Sequence, residues 1–275
     1  MPTPIDIKEF LKLSETHPIL DVRTPAEFAQ GHIPGAFNLP IFTNEERVII
    51  GTLYKKEGKQ PAVLKGLEIV GPKLQEFVKD AIKLNKSETF LVHCWRGGMR
   101  SSSMAWFLET YGFKCLTLKG GYKNYRKQVL GSFDEQKNII VLGGKTGTGK
   151  TIVLHELFKQ NEQIIDLEKI AHHKGSSFGS LGEEPQPSQE QFENELAFEL
   201  SKIDPEKKCW IENESRMIGK NILPAGLWEQ MKNAIVISIG LPMEERIKYL
   251  VEEYGKFSKD ELIEATERIG KKLGG

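Results

Sequence analysis

Ile139-Ile140-Val141-Leu142-Gly143-Gly144-Lys145-Thr146-Gly147-Thr148-Gly149-Lys150-Thr151 decides the fold of the second half of this 275-residue chain. A short apolar run the length of a buried strand is followed at once by glycines and then by helix-like sequence. Gly144 to Thr151 fits G-x-x-x-x-G-K-[ST] in the strand-loop-helix setting that this pattern requires. The glycines let successive backbone N–H groups turn toward phosphate oxygens, Lys150 supplies a point charge, and the Thr151 hydroxyl is placed to bind magnesium. The pattern predicts a phosphate-binding turn, with Gly144, Lys145, Thr146, Gly147, Thr148, Gly149, Lys150 and Thr151 as its residues. Whether the phosphates belong to a nucleotide or to another diphosphate is left open by it.

Outward from this stretch the same rhythm recurs. Ile19-Leu20, Phe90-Leu91-Val92, Cys115 to Leu118, Gln163-Ile164-Ile165, Cys209-Trp210-Ile211 and Ala234 to Ile237 are apolar runs followed by turn signals and helical patterns, which predicts parallel α/β construction. Asp166 and Glu212 follow two of these runs. Carboxylates at strand C-termini face the same crevice as the phosphate loop, so Thr151, Asp166 and Glu212 are the expected magnesium ligands, with helix capping and plain solvation as the alternatives for the two acids. The length suits two domains, and a polar, basic stretch between Gly121 and Asn138 puts the division at 1–133 and 134–275. Lys174 to Gln191 is too rich in Ser, Gly and Pro for an element and predicts a long loop, while Ser258 and Glu261 form a capping-box start for a closing helix.

Composition excludes several classes. At 39% hydrophobic and 28% charged the chain is ordinary for a soluble globular protein. Lys+Arg 38 against Asp+Glu 38 removes blanket basicity, so nucleic acid must meet a local patch, and DNA is not expected. No apolar run approaches the roughly 18 residues of a membrane span, and the start lacks signal-peptide features; the cytoplasm is the expectation and no membrane partner is foreseen. Cys94, Cys115 and Cys209 include no Cys-x-x-Cys pair, and His172 and His173, adjacent on the chain, face apart. Neither zinc nor haem is expected.

Cys94 has surroundings of its own. Phe90 to His93 reads as a strand running into Cys94-Trp95-Arg96-Gly97-Gly98-Met99-Arg100, after which Met104, Phe107, Leu108 and Tyr111 at i, i+3, i+4 and i+7 predict an amphipathic helix. Backbone N–H groups at a helix start form an anion cradle, and Arg96 and Arg100 add positive charge. The same field favours the nucleophilic thiolate. Cys94, Arg96, Gly97, Gly98 and Arg100 are therefore the candidate catalytic residues; the bland alternative is a small buried cysteine at a strand end.

Upstream, Asp21-Val22-Arg23-Thr24-Pro25-Ala26-Glu27-Phe28 and Gly31-His32-Ile33-Pro34-Gly35-Ala36-Phe37-Asn38 resemble the paired signatures of rhodanese domains. Rhodaneses usually have four residues between the loop Cys and the closing Arg, whereas here there are five, as in cysteine-dependent phosphatases. The longer loop fits a tetrahedral oxyanion, which a chalcogen-phosphate or a phosphoester would supply. Together with Gly120-Gly121-Tyr122-Lys123, Gly175 to Gly179, Pro185 to Gln189 and Glu212 to Arg216, nearly the whole chain resembles bacterial tRNA 2-selenouridine synthases.

The resemblance implies a rhodanese-like parallel-sheet domain followed by a P-loop NTPase-like one. It implies exchange of sulfur for selenium at C2 of a wobble 2-thiouridine in tRNA, through an S-geranylated intermediate. Selenophosphate and geranyl diphosphate would be the substrates, selenium would be carried on Cys94, and an enzyme supplying selenophosphate would be a partner. Family chains continue with helical sequence past the point matching Gly275. For RNA, Lys119, Tyr122, Lys123, Tyr125 and Arg126 mix cations with rings suited to phosphates and stacked bases; equally, the two tyrosines pack internally and the lysines are solvated. The alternative function is a cysteine-dependent phosphatase or sulfurtransferase with an appended nucleotide-binding domain.

Overall fold

The computed structural model describes residues 2–84 and 88–273, with side chains as far as 267. The chain forms two compact units, Met1–Gln128 and Val129–Gly275.

In the first unit, strands β1 (Thr3–Ile5), β2 (Ile19–Asp21), β3 (Phe37–Asn38), β4 (Thr89–His93) and β5 (Lys114–Leu118) pair in the order β1-β5-β4-β2-β3, every pair parallel. β2 and β4 are inner strands buried on both faces, which is why their sequences read as unbroken apolar runs. β1 and β3 are short edge strands without such a run, and the sequence gives no sign of them. The helix Met99–Tyr111 follows β4 and buries Ser101, Met104, Ala105 and Leu108. Tyr111 stands at the end of the expected apolar face but is exposed, since Gly112 in the left-handed region (φ 119°) ends the helix there; its ring lies 5.2 Å from that of Phe113. The core runs through Leu20, Val22, Phe90, Val92, Met104 and Leu108 and reaches Cys94 itself.

In the second unit, β6 (Ile139–Gly144), β7 (Gln163–Ile165), β8 (Cys209–Glu212) and β11 (Ile235–Ile239) form a parallel sheet in the order β11-β6-β8-β7, while β9 (Met217–Ile218) and β10 (Asn221–Ile222) make a small antiparallel pair. The run from 172 to 188 holds neither helix nor strand, as its Gly, Ser and Pro content predicts, and Ser188 then caps the helix Gln189–Ser201. Ser258 and Glu261 exchange hydrogen bonds at the start of the helix Lys259–Leu273. Because the strands are parallel, β6, β7 and β8 all deliver their C-terminal residues to one edge of the sheet, where the phosphate loop and the acids following β7 and β8 meet. Among the described residues no helix is long and apolar enough to cross a membrane.

Candidate active sites

Cys94 follows the last residue of β4, and Gly98 is the N-cap of the helix after it. Cys94 is 3% exposed; its Sγ lies 3.2 Å from Ser101 Oγ and 3.9 Å from the Gly98 carbonyl. Gly97 sits at φ +64°, and a Cβ there would come within 2.5 Å of the Leu118 carbonyl. Arg96 is exposed. Arg100 forms a two-pronged pair with Glu27, Nη1 to Oε2 at 2.7 Å and Nη2 to Oε1 at 3.2 Å. Burial alone would raise the Glu27 pKa, but the hydrogen bonds and charge of Arg100 hold it below the usual carboxylate range. The loop arginine is thus fixed in place by a residue of the Asp21–Phe28 signature.

Beneath the loop lies a buried polar cluster. Asp21, Arg23 and His93 are each fully buried. Arg23 donates to Asp21 through Nε at 3.0 Å and Nη2 at 2.5 Å, and through Nη2 to the Gly31 carbonyl at 2.7 Å. Its guanidinium carbon is 3.7 Å from the centre of the Tyr122 ring, a cation–π contact out of water. Burial lowers the His93 pKa, so its ring stays neutral, 3.7 Å from Asp21 Oδ2.

This cluster corrects the expected RNA surface. Tyr122 is fully buried and Tyr125 only 4% exposed, so neither ring is available to a base. Arg126 is half-buried, while Lys119 and Lys123 are exposed. The helix Gly121–Ser132 holds the cysteine loop instead: the Tyr122 N–H donates to the Cys94 carbonyl and the Lys123 N–H to the Trp95 carbonyl, both at 2.9 Å. A Cβ on Gly121 (φ +59°) would collide with the Cys94 carbonyl oxygen.

In the second unit the phosphate loop leads into the helix Lys150–Lys159, with Gly147 (φ +81°) and Gly149 (φ +73°) in left-handed conformations. Gly147 is pressed against the helix Met243–Tyr254, where a Cβ would come within 3.0 Å of the Arg246 carbonyl; Arg246 Nε donates to the Thr146 carbonyl at 2.9 Å. Thr148 is tied back to the Lys145 carbonyl by its N–H and its hydroxyl. Lys150 Nζ lies 3.6 Å from Glu214 Oε1.

Two of the three expected magnesium ligands come together. The Thr151 hydroxyl is 2.8 Å from Glu212 Oε1 and 3.1 Å from Glu168 Oε2. Glu212 is fully buried, and burial, with Glu168 and Asp166 nearby, pushes its pKa up to about 8. Burial and the charge of Glu214 push Glu168 up to about 7. Asp166 is a correction: it caps the helix Leu167–Ala171, accepting from the Lys169 N–H at 2.8 Å, and pairs with His155 Nε2 at 2.7 Å. Its two carboxylate oxygens are taken by the start of its own helix and by His155 of the helix Lys150–Lys159, and Glu168, two residues on, stands by Thr151. A hydroxyl and acids of this kind are hard oxygen donors suited to Mg²⁺.

A cavity of about 460 Å³ opens over the loop, lined by its residues with Glu168, Lys174, Glu214 and Tyr254. A second, about 1150 Å³ and mostly apolar, shares Thr146, Gly175, Ser176, Ser215, Leu250 and Tyr254 with the first. Phe178, Met217, Ile247, Val251 and Leu262 line the second alone. No pattern in the sequence announces this groove, because its walls come from five separated places in the chain, from Thr146 to Leu262.

Fold and sites together define a chain that joins a rhodanese-like domain to a P-loop domain. The rhodanese-like domain family matches residues 6–128, and the tRNA 2-selenouridine synthase AAA domain matches residues 137–273. The chain belongs to the tRNA 2-selenouridine synthase family. It is 34% identical over 269 residues to the tRNA 2-selenouridine synthase of Shewanella frigidimarina, covering 95% of this chain and 71% of that protein. To that of Nitrosomonas europaea it is 35% identical over 261 residues, covering 91% and 66%. The chain therefore spans about two thirds of the length of these curated relatives. A crystallised N-terminal domain of a Clostridium difficile 630 protein, described as ATP/GTP binding, is 40% identical with a TM-score of 0.44, covering 46% of this chain and 99% of its own.

Proposed function

We propose that this chain, with domains divided at 133/134, takes part in converting wobble 2-thiouridine of tRNA to 2-selenouridine in the cytoplasm. On this reading a geranyl group from geranyl diphosphate is first placed on the sulfur, which then leaves as a thiol when selenium takes its position. Selenophosphate, furnished by a separate supplying enzyme, binds at the loop beside Cys94; its selenium, already at the selenide level, displaces the geranyl thiol at C2, and water then breaks the Se–P bond to release phosphate. The Gly97 and Gly98 amides and Arg100 bind the oxyanion, Ser101 lies against the sulfur, and Glu27 orients the arginine. Lys119 and Lys123 are the exposed cations of the first unit assigned to tRNA phosphates.

The observation that supports the geranyl half is that the two cavities share lining residues: one is polar, with the phosphate loop and Lys145, Lys150 and Lys174 beside Glu168, Glu214 and Glu253, and the other is mostly apolar. An anionic diphosphate with a hydrocarbon tail has this polarity, whereas a nucleotide offers a sugar and a base. Lys145, Lys150 and the loop amides from Gly144 to Thr151 bind the diphosphate. Mg²⁺, held by Thr151 and Glu212, would neutralise charge on the departing diphosphate. Binding the diphosphate also draws Lys150 away from Glu214.

Titration calorimetry of the chain with geranyl diphosphate, geraniol and ATP tests this reading. Geranyl diphosphate is expected to bind in competition with inorganic diphosphate, and Leu250→Asp to weaken it at least tenfold. Tighter binding of ATP, with tRNA-stimulated phosphate release that geranyl diphosphate does not inhibit, would assign the loop to nucleotide chemistry.

A further inference from the structure

The long loop after the helix Leu167–Ala171 carries a lysine that the phosphate-loop pattern does not account for. Lys174 borders the polar cavity together with Lys145 and Lys150. Its backbone is pinned in place. The His173 N–H donates to the Glu168 carbonyl at 3.0 Å, the Lys174 N–H to the Gly179 carbonyl at 2.9 Å, and the Ser176 N–H to the Lys174 carbonyl at 2.7 Å. Next to it Gly175 (φ +65°) lies so close to Glu214 that a Cβ would overlap that carboxylate. Lys174 Nζ sits 2.5 Å from Glu253 Oε1 and 3.2 Å from Glu183 Oε1. Lys150 has a similar arrangement, with Glu214 Oε1 3.6 Å from its Nζ. Two lysines of one cavity are thus each held by a carboxylate, and Gly175 links the two pairs.

We infer that Lys174 is a further cation for the ligand of the phosphate loop: when a diphosphate binds, Lys174 Nζ leaves Glu253 and Glu183 for a phosphate oxygen. This rests on reading the cavity as a diphosphate site. The exchange strands no buried charge. Lys256 Nζ already lies 3.7 Å from Glu253 Oε2, and the side chains of Glu253 and Glu183 are 26% and 27% exposed to water. A diphosphate carries more charge than a carboxylate, and a lysine ammonium on its flexible stem changes partner without moving the backbone. A clip fastening the loop to the helix Met243–Tyr254 would explain the Glu253 contact. It would not explain why the lysine borders the phosphate loop's cavity, and the loop has other fastenings on that helix: Ser176 Oγ is 3.4 Å from Tyr254 Oη, and the Phe178 ring is 5.4 Å from the Tyr254 ring.

Titration calorimetry of the full 275-residue chain with inorganic diphosphate separates the two roles. Lys174→Met should weaken binding about tenfold, and Lys174→Arg, which keeps the charge, far less. Glu253→Gln releases the lysine and should tighten binding, a gain that should vanish in the Lys174→Met background. Lys174→Gln repeats the measurement if the methionine variant melts early. Glu253→Gln weakening binding as much as Lys174→Met would reduce the pair to a clip and overturn the inference. So would a loss of less than about twofold in Lys174→Met, or the same gain from Glu253→Gln with and without the lysine. Inorganic diphosphate has no hydrocarbon, so ATP displacing it where geranyl diphosphate does not would sink the prenyl reading and leave the Lys174 result standing. An unaltered chain that binds no inorganic diphosphate would overturn both.

Discussion

Glu212 shows how one side chain ties the phosphate loop to the stability of its domain. A carboxyl whose native pKa lies above its unfolded value takes up a proton on folding, so the native state binds more protons between those two values and stability falls as pH rises through the interval. For Glu212 the interval runs from 4.5 to about 8, and for Glu168 from 4.5 to about 7. The second unit should therefore melt at a lower temperature at about pH 8.5 than at about pH 5.5. Glu212→Gln, which keeps the shape and cannot ionise, should flatten that dependence and raise the melting temperature at the alkaline end. Melts across a pH series decide it, and unchanged slopes would show that Glu212 does not carry the effect. The sequence made Glu212 legible because a carboxylate ending an apolar run is placed by the strand itself. It misplaced the second acid, since whether Asp166 or Glu168 faces Thr151 depends on how the next helix starts, and Asp166 satisfies an N–H of that start.

At the scale of elements, the strand, loop and helix around Cys94 were readable from Phe90 to Tyr111, because each piece is specified by its neighbours in sequence. The helix Gly121–Ser132 was not. Its alternation of tyrosine and lysine suits a nucleic-acid surface as well as a buried face, and Tyr122 faces inward because it packs against residues distant in sequence, Arg23 about a hundred residues upstream and His93 and Trp95. That helix start sets the loop through Gly121. A side chain in the left-handed region costs roughly 1–2 kcal/mol, and at Gly121 it also overlaps the Cys94 carbonyl. Gly121→Ala should lower unfolding stability by at least that amount in urea titration and impair Cys94 chemistry beyond the stability loss. Gly131→Ala in the same helix meets nothing within 4 Å and should be neutral or stabilising by about 0.5–1 kcal/mol. If both variants behave alike, the helix start does not position the loop.

For the molecule as a whole, the division into two units predicts that the two chemistries separate. Cys94→Ser should abolish selenium transfer and leave prenyl transfer largely intact, while Lys150→Ala should weaken use of the prenyl diphosphate. Nucleoside analysis of tRNA treated with each variant would show S-geranyl-2-thiouridine accumulating with the first and 2-thiouridine persisting with the second. Equal loss of both steps in a folded Cys94→Ser protein would mean that one site serves both. The cysteines of the interior do not blur this test, because burial pushes Cys115 and Cys209 up to about 12 and leaves them protonated. Carrying both loops on a single polypeptide also fixes their dosage. However much or little of the protein a cell makes, the two sites are present one for one, so on the proposed two-step reading the pool of half-modified tRNA would be set by the rates of the two steps and not by the expression of two genes.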